Sequence, residues 1–195
     1  MSNERALLID RDGVMIHMVR YDYGWDSAQK PEDVSLVKGV DEIIAWANKE
    51  GIPVIEISNQ PGIAKGKMSQ EISNKIEKRT HELLVKNGAK VDNAYICQHH
   101  PKGVIAQLTC ECDCRKPKPG LLLQAAKDLN IDLTASVFLG DKASDVEVGK
   151  QVDCKTIIFL HDEDLPEKIE EAINTNADYK TRSMKKVLSI LEMLY

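Results

Sequence analysis

Aromatic residues are scarce in this 195-residue chain, where 2 Phe, 2 Trp and 5 Tyr make up 5% of the total, so the core has to come from aliphatic side chains. Long apolar runs are missing too: none approaches the ~20 residues a membrane-spanning helix needs, so no membrane contact is expected. Charge of one sign is nowhere gathered into a block. Lys and Arg number 26 against 31 Asp and Glu, a net charge of −5, which argues against a nucleic-acid scaffold or a polybasic membrane surface. The opening Met1 to Asp10 meets acidic residues before a signal-peptide core could form, and a cytoplasmic location is expected. At 43% hydrophobic and 29% charged the composition is that of an ordinary folded protein. Its length fits one domain, 1–195, with no linker to divide it.

Four of the five cysteines, Cys97, Cys110, Cys112 and Cys114, fall within eighteen residues together with His99 and His100. In a reducing compartment such clustering reads as a metal site before a disulfide. Cys-x-His followed after about a dozen residues by Cys-x-Cys supplies the four soft or borderline ligands of a closed zinc site. Cys110 and His100 are competing ligands within the same stretch. Cys154 stands apart and reads as a small core thiol.

Apolar runs of strand length recur at Arg5–Ile9, Pro53–Ile57, Asn93–Cys97, Ser136–Gly140 and Lys155–Leu160. Helical spacing fills Val40–Glu50, Ser69–Asn87, Gly120–Leu129 and Ser144–Gln151, and the tail after Pro166 reads as two helical pieces. This alternation predicts an α/β fold with a mostly parallel sheet. Val14 to Pro31 is irregular and is expected to form a flap over the site. Ligands of such sheets bind beyond the carboxyl ends of the strands. Four of the runs end in chemically capable groups: Asp10-Arg-Asp-Gly13, Ser58-Asn-Gln-Pro-Gly62, Cys97-Gln-His-His100 and Gly140-Asp-Lys142.

A carboxylate at a strand end, Asp10, can attack phosphorus, and a second on the next outward-facing position, Asp12, can protonate a leaving oxygen. Asp141 adds a hard oxygen ligand from another strand end, a set that suits Mg²⁺. Ser58 and the turn amides after it can hold a phosphoryl oxygen, and Arg115-Lys116 place fixed positive charge just before a helix. Ser144-x-x-Glu147 reads as a capping box, with Asp145 an acid favoured at a helix start.

Asp10-Arg-Asp-Gly-Val14, Ser58-Asn-Gln-Pro-Gly-Ile-Ala-Lys-Gly66, Cys97-Gln-His-His-Pro101, Cys112-Asp-Cys-Arg-Lys-Pro-Lys-Pro-Gly120 and Gly140-Asp-Lys142 together resemble the ordered motifs of the haloacid dehalogenase superfamily. Within it they are similar to the branch of the heptose bisphosphate and histidinol-phosphate phosphatases, from Asp10 to about Leu160. The resemblance implies a Rossmann-like three-layer α/β fold with a mostly parallel sheet, no large cap domain and a zinc-bound loop. It also implies Mg²⁺-dependent removal of the C7 phosphate of D-glycero-D-manno-heptose 1,7-bisphosphate through an aspartyl-phosphate. Histidinol phosphate or another small sugar phosphate is the alternative substrate.

By the same resemblance Asp10 is the nucleophile and Asp12 the general acid and base. Ser58 binds the transferring phosphoryl group and Lys116 offsets its charge. Asn59, Gln60, Arg115 and Lys142 are substrate contacts, Arg115 at the second phosphate on C1. Asp10, the Asp12 carbonyl and Asp141 hold Mg²⁺, and Cys97, His99, Cys112 and Cys114 hold Zn²⁺. The partner expected is a small phosphorylated sugar, with no nucleic acid or membrane, and a monomer suffices. Two departures bear on the substrate: Pro61 stands where this branch commonly has Ser, removing a backbone donor, and Met15 to Lys30 is unusual in composition.

Overall fold

Strands that are apolar on both faces have to be covered by helices on both sides, and the central strands of this chain are of that kind. The computed structural model describes residues 4–161 and 166–195. In chain order these form β1 (Leu7–Ile9), a hairpin of β2 (Val19–Tyr21) and β3 (Gly24–Asp26), α1 (Val40–Lys49), β4 (Val54–Asn59), α2 (Gln70–Lys86), β5 (Asn93–Cys97), α3 (Gly120–Leu129), β6 (Val137–Gly140), α4 (Ala143–Gln151), β7 (Lys155–Phe159), α5 (Pro166–Ile173), β8 (Tyr179–Thr181) and α6 (Met184–Leu194). Strands β1 and β6 are buried along their whole length.

The six-stranded sheet runs β5-β4-β1-β6-β7-β8 with every neighbouring pair parallel. On one face Leu7, Ile9, Val54, Leu139 and Phe159 pack against Ile43 and Ile44 of α1, Ile76 and Leu84 of α2, and Val187 and Leu191 of α6. On the other, Leu8, Ile55, Ile57 and Phe138 pack against Leu121, Leu122 and Ala125 of α3. Ile158 packs with Val146 of α4 and Ala172 of α5. The three-layer α/β architecture is therefore the one expected. The C-terminal Tyr195 locks the start of the sheet, its hydroxyl donating to the Ala6 carbonyl at 2.7 Å and accepting from the Val137 amide at 3.0 Å.

Three local expectations need correction. The tail is not two helical pieces alone: β8 lies between α5 and α6, pairing with β7 through Tyr179, Lys180 and Thr181. Three residues are too few to show alternation in sequence, while an open edge on β7 gives them a partner. The presumed flap is restricted to the β2–β3 hairpin, because Val14, Met15 and Ile16 are fully buried in the core. Their amides turn back onto the Arg11 carbonyl, with Met15 and Ile16 at 2.9 and 3.0 Å. Helix α4 starts after its N-cap Lys142, whose amide donates to the Asp145 carboxylate at 3.0 Å, and Ser144 and Glu147 do not form the expected box.

Because β5, β4, β1 and β6 are adjacent and parallel, their carboxyl ends open on one edge of the sheet. Asp10, Asn59, Cys97 and Asp141 are delivered to that edge by backbone alone.

Candidate active site and metal centre

Asp10 immediately follows β1 and is 4% exposed. Its Oδ1 accepts from the Arg11 amide at 2.8 Å and faces Lys116 Nζ at 3.0 Å. Lys116, equally buried, forms a second ion pair with Asp145 Oδ1 at 2.7 Å and donates to the Ile57 carbonyl at 2.8 Å. Burial opposes the ionisation of Asp10, but the Lys116 and Lys142 ammonium groups outweigh it and hold its carboxyl below the ordinary value. Asp10 is therefore a carboxylate at neutral pH, as a nucleophile must be. Burial likewise opposes the charge on Lys116, and Asp10 with Asp145 more than restores it.

Lys116 is placed by Asn59. The Asn59 side chain accepts from the Lys116 amide and donates to its carbonyl, both at 3.0 Å, so a residue expected at the substrate clamps the backbone of the lysine. Gln60 is similarly committed: buried, its side-chain amide donates to Asp12 Oδ2 at 2.6 Å and to Ser58 Oγ at 2.7 Å. Ser27, just beyond the hairpin, donates to the same Asp12 oxygen at 2.9 Å.

Asp141 sits against the glycine turn after Asp12. Gly13 has φ of +90°, and a Cβ there would lie 2.1 Å from Asp141 Oδ2, so a side chain at this position is excluded twice over. Asp145 is the residue sequence reasoning undervalued. Its Oδ2 caps the amides of Asp141 at 3.2 Å and Lys142 at 3.0 Å, while Oδ1 pairs with Lys116. A Cβ on Gly140 would fall 2.3 Å from that of Asp145, so the glycine is what admits the acid. The spacing Asp141-x-x-x-Asp145 was the available signal.

Lys142 extends into the same cluster, with Nζ 2.9 Å from Asp141 Oδ1, 3.1 Å from the Asp12 carbonyl and 3.6 Å from Asp10 Oδ2. A cationic group thus already spans the oxygens expected to hold Mg²⁺, and hard oxygens around a cation are what that ion requires. Burial, with Asp10 and Asp145 nearby, pushes the Asp141 carboxyl up to about 7 despite Lys142. A divalent cation would relieve that crowding. The carboxylates of Asp10, Asp141 and Asp145 all lie within 4.8 Å of one another, but both Asp145 oxygens are already engaged.

Asp10, Asp12, Asn59, Lys116, Lys142, Ser144 and Asp145 line a cavity of about 330 Å³, while Asp141, Ser58 and Gln60 lie behind its wall. Met18, Asp26 and Ser27 from the hairpin, Pro61 and Lys65 after β4, and Arg115 form the rest of its wall. Asp26 pairs with Lys67, which also lies 5.4 Å from the centre of the Tyr23 ring, so the hairpin is tied down over the site. Lys65 has the opposite environment: burial and the like charges of Lys67 and Arg115 lower its pKa, despite some relief from Asp26.

Cys97, His99, Cys112 and Cys114 converge with all four donor atoms within 4.8 Å. Separations of 3.6 Å for Cys97–Cys112, 3.2 Å for Cys112–Cys114, 3.4 Å for His99–Cys114 and 3.1 Å for Cys97–Cys114 come near the ~3.8 Å edge of a tetrahedron with Zn–S bonds of ~2.3 Å. Cys110 is exposed outside this group, and His100 Nδ1 accepts from the Lys102 amide at 3.1 Å, so neither alternative ligand belongs to it. Burial and the neighbouring sulfurs push the Cys114 thiol up, and burial raises Cys97. Three thiols this close need a cation to ionise together, which fits zinc. Arg115 directly follows Cys114 and donates to the His99 carbonyl at 3.3 Å, so the cluster and the cavity wall are one piece of chain.

A parallel sheet with buried carboxylates at neighbouring strand ends and a lysine between them defines a hydrolase of the HAD-like class. The family described as HAD-hydrolase-like matches residues 113–186. The chain is 37% identical over 155 residues to the D-glycero-beta-D-manno-heptose-1,7-bisphosphate 7-phosphatase of Vibrio cholerae, covering 80% of each chain. It is 35% identical over 173 residues to the enzyme of the same name from Photorhabdus laumondii, 89% of this chain and 85% of that one. It superposes on a putative HAD-like phosphatase from Mesorhizobium loti with a TM-score of 0.80 at 30% identity, over 100% of this chain and 88% of that one. The D,D-heptose 1,7-bisphosphate phosphatase of B. bronchiseptica, complexed with magnesium and phosphate, shares the fold with a TM-score of 0.80 at 22% identity, over 98% and 99%.

The chain belongs to the heptose-1,7-bisphosphate 7-phosphatase family of HAD-like hydrolases. It is accordingly a phosphoric monoester hydrolase. Among the described residues no helix is long and apolar enough to cross a membrane.

Proposed function

We propose that this protein removes the C7 phosphate of D-glycero-β-D-manno-heptose 1,7-bisphosphate, leaving the 1-phosphate, with the whole chain acting as one catalytic unit. Asp10 attacks phosphorus; the P–O bond to C7 breaks, and the bonding pair leaves on the sugar oxygen, which takes a proton from Asp12. Water then attacks the aspartyl-phosphate, Asp12 takes its proton, and the Asp10 carboxylate is freed with inorganic phosphate. Ser58, Lys116 and Lys142 bear on the transferring phosphoryl group. Asp10, the Asp12 carbonyl and Asp141 would hold a Mg²⁺, which would supply further positive charge for phosphoryl transfer. Asn59 and Gln60 serve by holding Lys116, Ser58 and Asp12 in place.

The observation that carries the substrate is a second pair of cations on the cavity wall, Lys65 and Arg115, besides Lys116 and Lys142. Lys65 and Arg115 lie beyond the Asp10–Lys116 pair, and Lys65 is destabilised by its own neighbours. A second phosphate placed there removes the like-charge strain, so a bisphosphate fits better than a monoester of a cationic alcohol such as histidinol. The relatives' names point the same way.

Phosphate release with Mg²⁺ is the test, comparing both anomers of the heptose bisphosphate with histidinol phosphate. A preference of about 100-fold in kcat/KM for the β-bisphosphate over histidinol phosphate, ~2.7 kcal/mol at the transition state, is expected. Preference for histidinol phosphate would discard the substrate and keep the chemistry.

Zinc held by Cys97, His99, Cys112 and Cys114 has a structural role in this proposal, since four protein ligands leave no open position. Cys112→Ser/Cys114→Ser should lose one equivalent of zinc per chain by atomic spectroscopy and raise KM roughly 10-fold or more, because Arg115 and Lys116 lose their anchor. Unchanged KM in zinc-free protein would separate the cluster from the site.

A further inference from the structure

Arg11 lies between Asp10 and Asp12 in the strand-end turn, yet its side chain is turned away from the cavity and is 3% exposed. It runs beneath the site toward Glu56 on β4, which is completely buried. Nε stands 3.7 Å from Asp12 Oδ1 and 4.0 Å from Glu56 Oε1. None of these three atoms has a hydrogen bond among the described residues. The other Glu56 oxygen meets His81 Nε2 of α2 at 3.3 Å.

A buried ion pair so long and so poorly bonded is a bad device for stability, because desolvating each charge costs several kcal/mol that loose contacts do not repay. Nor does the strand need it, since Val54, Ile55 and Ile57 around Glu56 are apolar and buried. What the pair does supply is a fixed positive charge behind one oxygen of Asp12. The opposite oxygen, Oδ2, is occupied by Gln60 and Ser27. With donors on Oδ2 and a guanidinium edge toward Oδ1, the rotation of the Asp12 carboxyl is determined from both sides.

We propose that Arg11 is a positioning residue for Asp12, held in place by Glu56, so that the acid is aimed at the departing oxygen. This rests on the phosphatase reading of Asp10 and Asp12. The decisive variant is Arg11→Met/Glu56→Leu, which replaces a buried ion pair by apolar groups of similar volume, a change that commonly leaves folding intact.

The probes are heptose 1,7-bisphosphate, whose alkoxide leaving group needs a proton, and p-nitrophenyl phosphate, whose phenolate does not. Since kcat/KM reports phosphoryl transfer to Asp10, the variant should lose about 10- to 100-fold on the heptose ester and no more than about threefold on the aryl ester. Arg11→Lys, which keeps the charge, should be more active on the heptose ester than Arg11→Met. Equal losses on the two esters, unchanged kcat/KM on the heptose ester in folded protein, or a lysine variant no better than methionine would each overturn the assignment. Wild-type protein inert toward both esters would instead overturn the phosphatase reading, and this assignment with it.

Discussion

Asp10→Asn should lower kcat by at least ~10⁴-fold while the protein stays folded, because an amide of the same shape cannot form the aspartyl-phosphate. The substitution is nearly isosteric, and Lys116 keeps Asp145 at 2.7 Å and the Ile57 carbonyl, so no buried ammonium is orphaned. Phosphate release from the heptose bisphosphate, with Mg²⁺ and zinc content matched to wild type and folding checked by circular dichroism, is the measurement. Turnover within tenfold of wild type would place the nucleophile elsewhere.

The second large effect is on stability as well as turnover. Lys116→Met should destabilise the fold by about 3–5 kcal/mol, the usual cost of breaking a buried pair by removing one partner. The reason is specific: Lys116 Nζ ion-pairs with Asp10 and Asp145 and donates to the Ile57 carbonyl, so methionine leaves two neighbouring buried carboxylates with Lys142 alone to offset them. Burial already pushes the Asp145 carboxyl up, with Asp10 adding to it, and Lys116, helped by Lys142, is what counters that. Urea unfolding should show the loss as a lowered midpoint at unchanged slope. Adding Asp145→Asn should recover part of the stability and none of the activity. A single variant as stable as wild type would mean that Asp10 and Asp145 are neutralised by something other than Lys116.

Both effects come from one architectural fact. Asp10 and Lys116 are separated by more than one hundred residues, and the lysine reaches the aspartate because Asn59 at the end of β4 clamps its backbone while the Cys/His cluster holds the loop before it. The site is charged, buried and balanced only as a whole. Removing a charge from it is therefore costly in a way that removing a surface charge is not.

Much of this was legible in the chain alone. Apolar runs at Arg5–Ile9, Pro53–Ile57, Asn93–Cys97, Ser136–Gly140 and Lys155–Leu160 announce buried parallel strands, since a strand covered on both faces has no polar alternation to lose. The first four end in polar groups at the edge where such sheets bind ligands, so Asp10, Asp12, Ser58 and Asp141 could be nominated by position. The spacing of Cys97, His99, Cys112 and Cys114 marked a metal cluster for the same reason: four soft donors on a short loop have few other uses.

What sequence left open was decided by contacts between distant segments. Choice of His99 over His100, and of Cys112 over Cys110, depends on which donors face Cys97 after the loop closes, and local spacing does not contain that. Asp145 reads as a helix-start acid until Lys116 is brought beside it from another loop. Asn59 and Gln60 read as substrate contacts until their partners, Lys116 and Asp12, are seen to occupy them. Glu56 and Arg11 show no significance in sequence beyond a charge inside an apolar strand and another between two aspartates. Periodicity and strand-end chemistry are properties of neighbouring residues, and so the sequence by itself determined the layers, the edge and the candidate acids. Pairing of buried charges is a property of packing, and only the tertiary structure decided which of those groups act on one another.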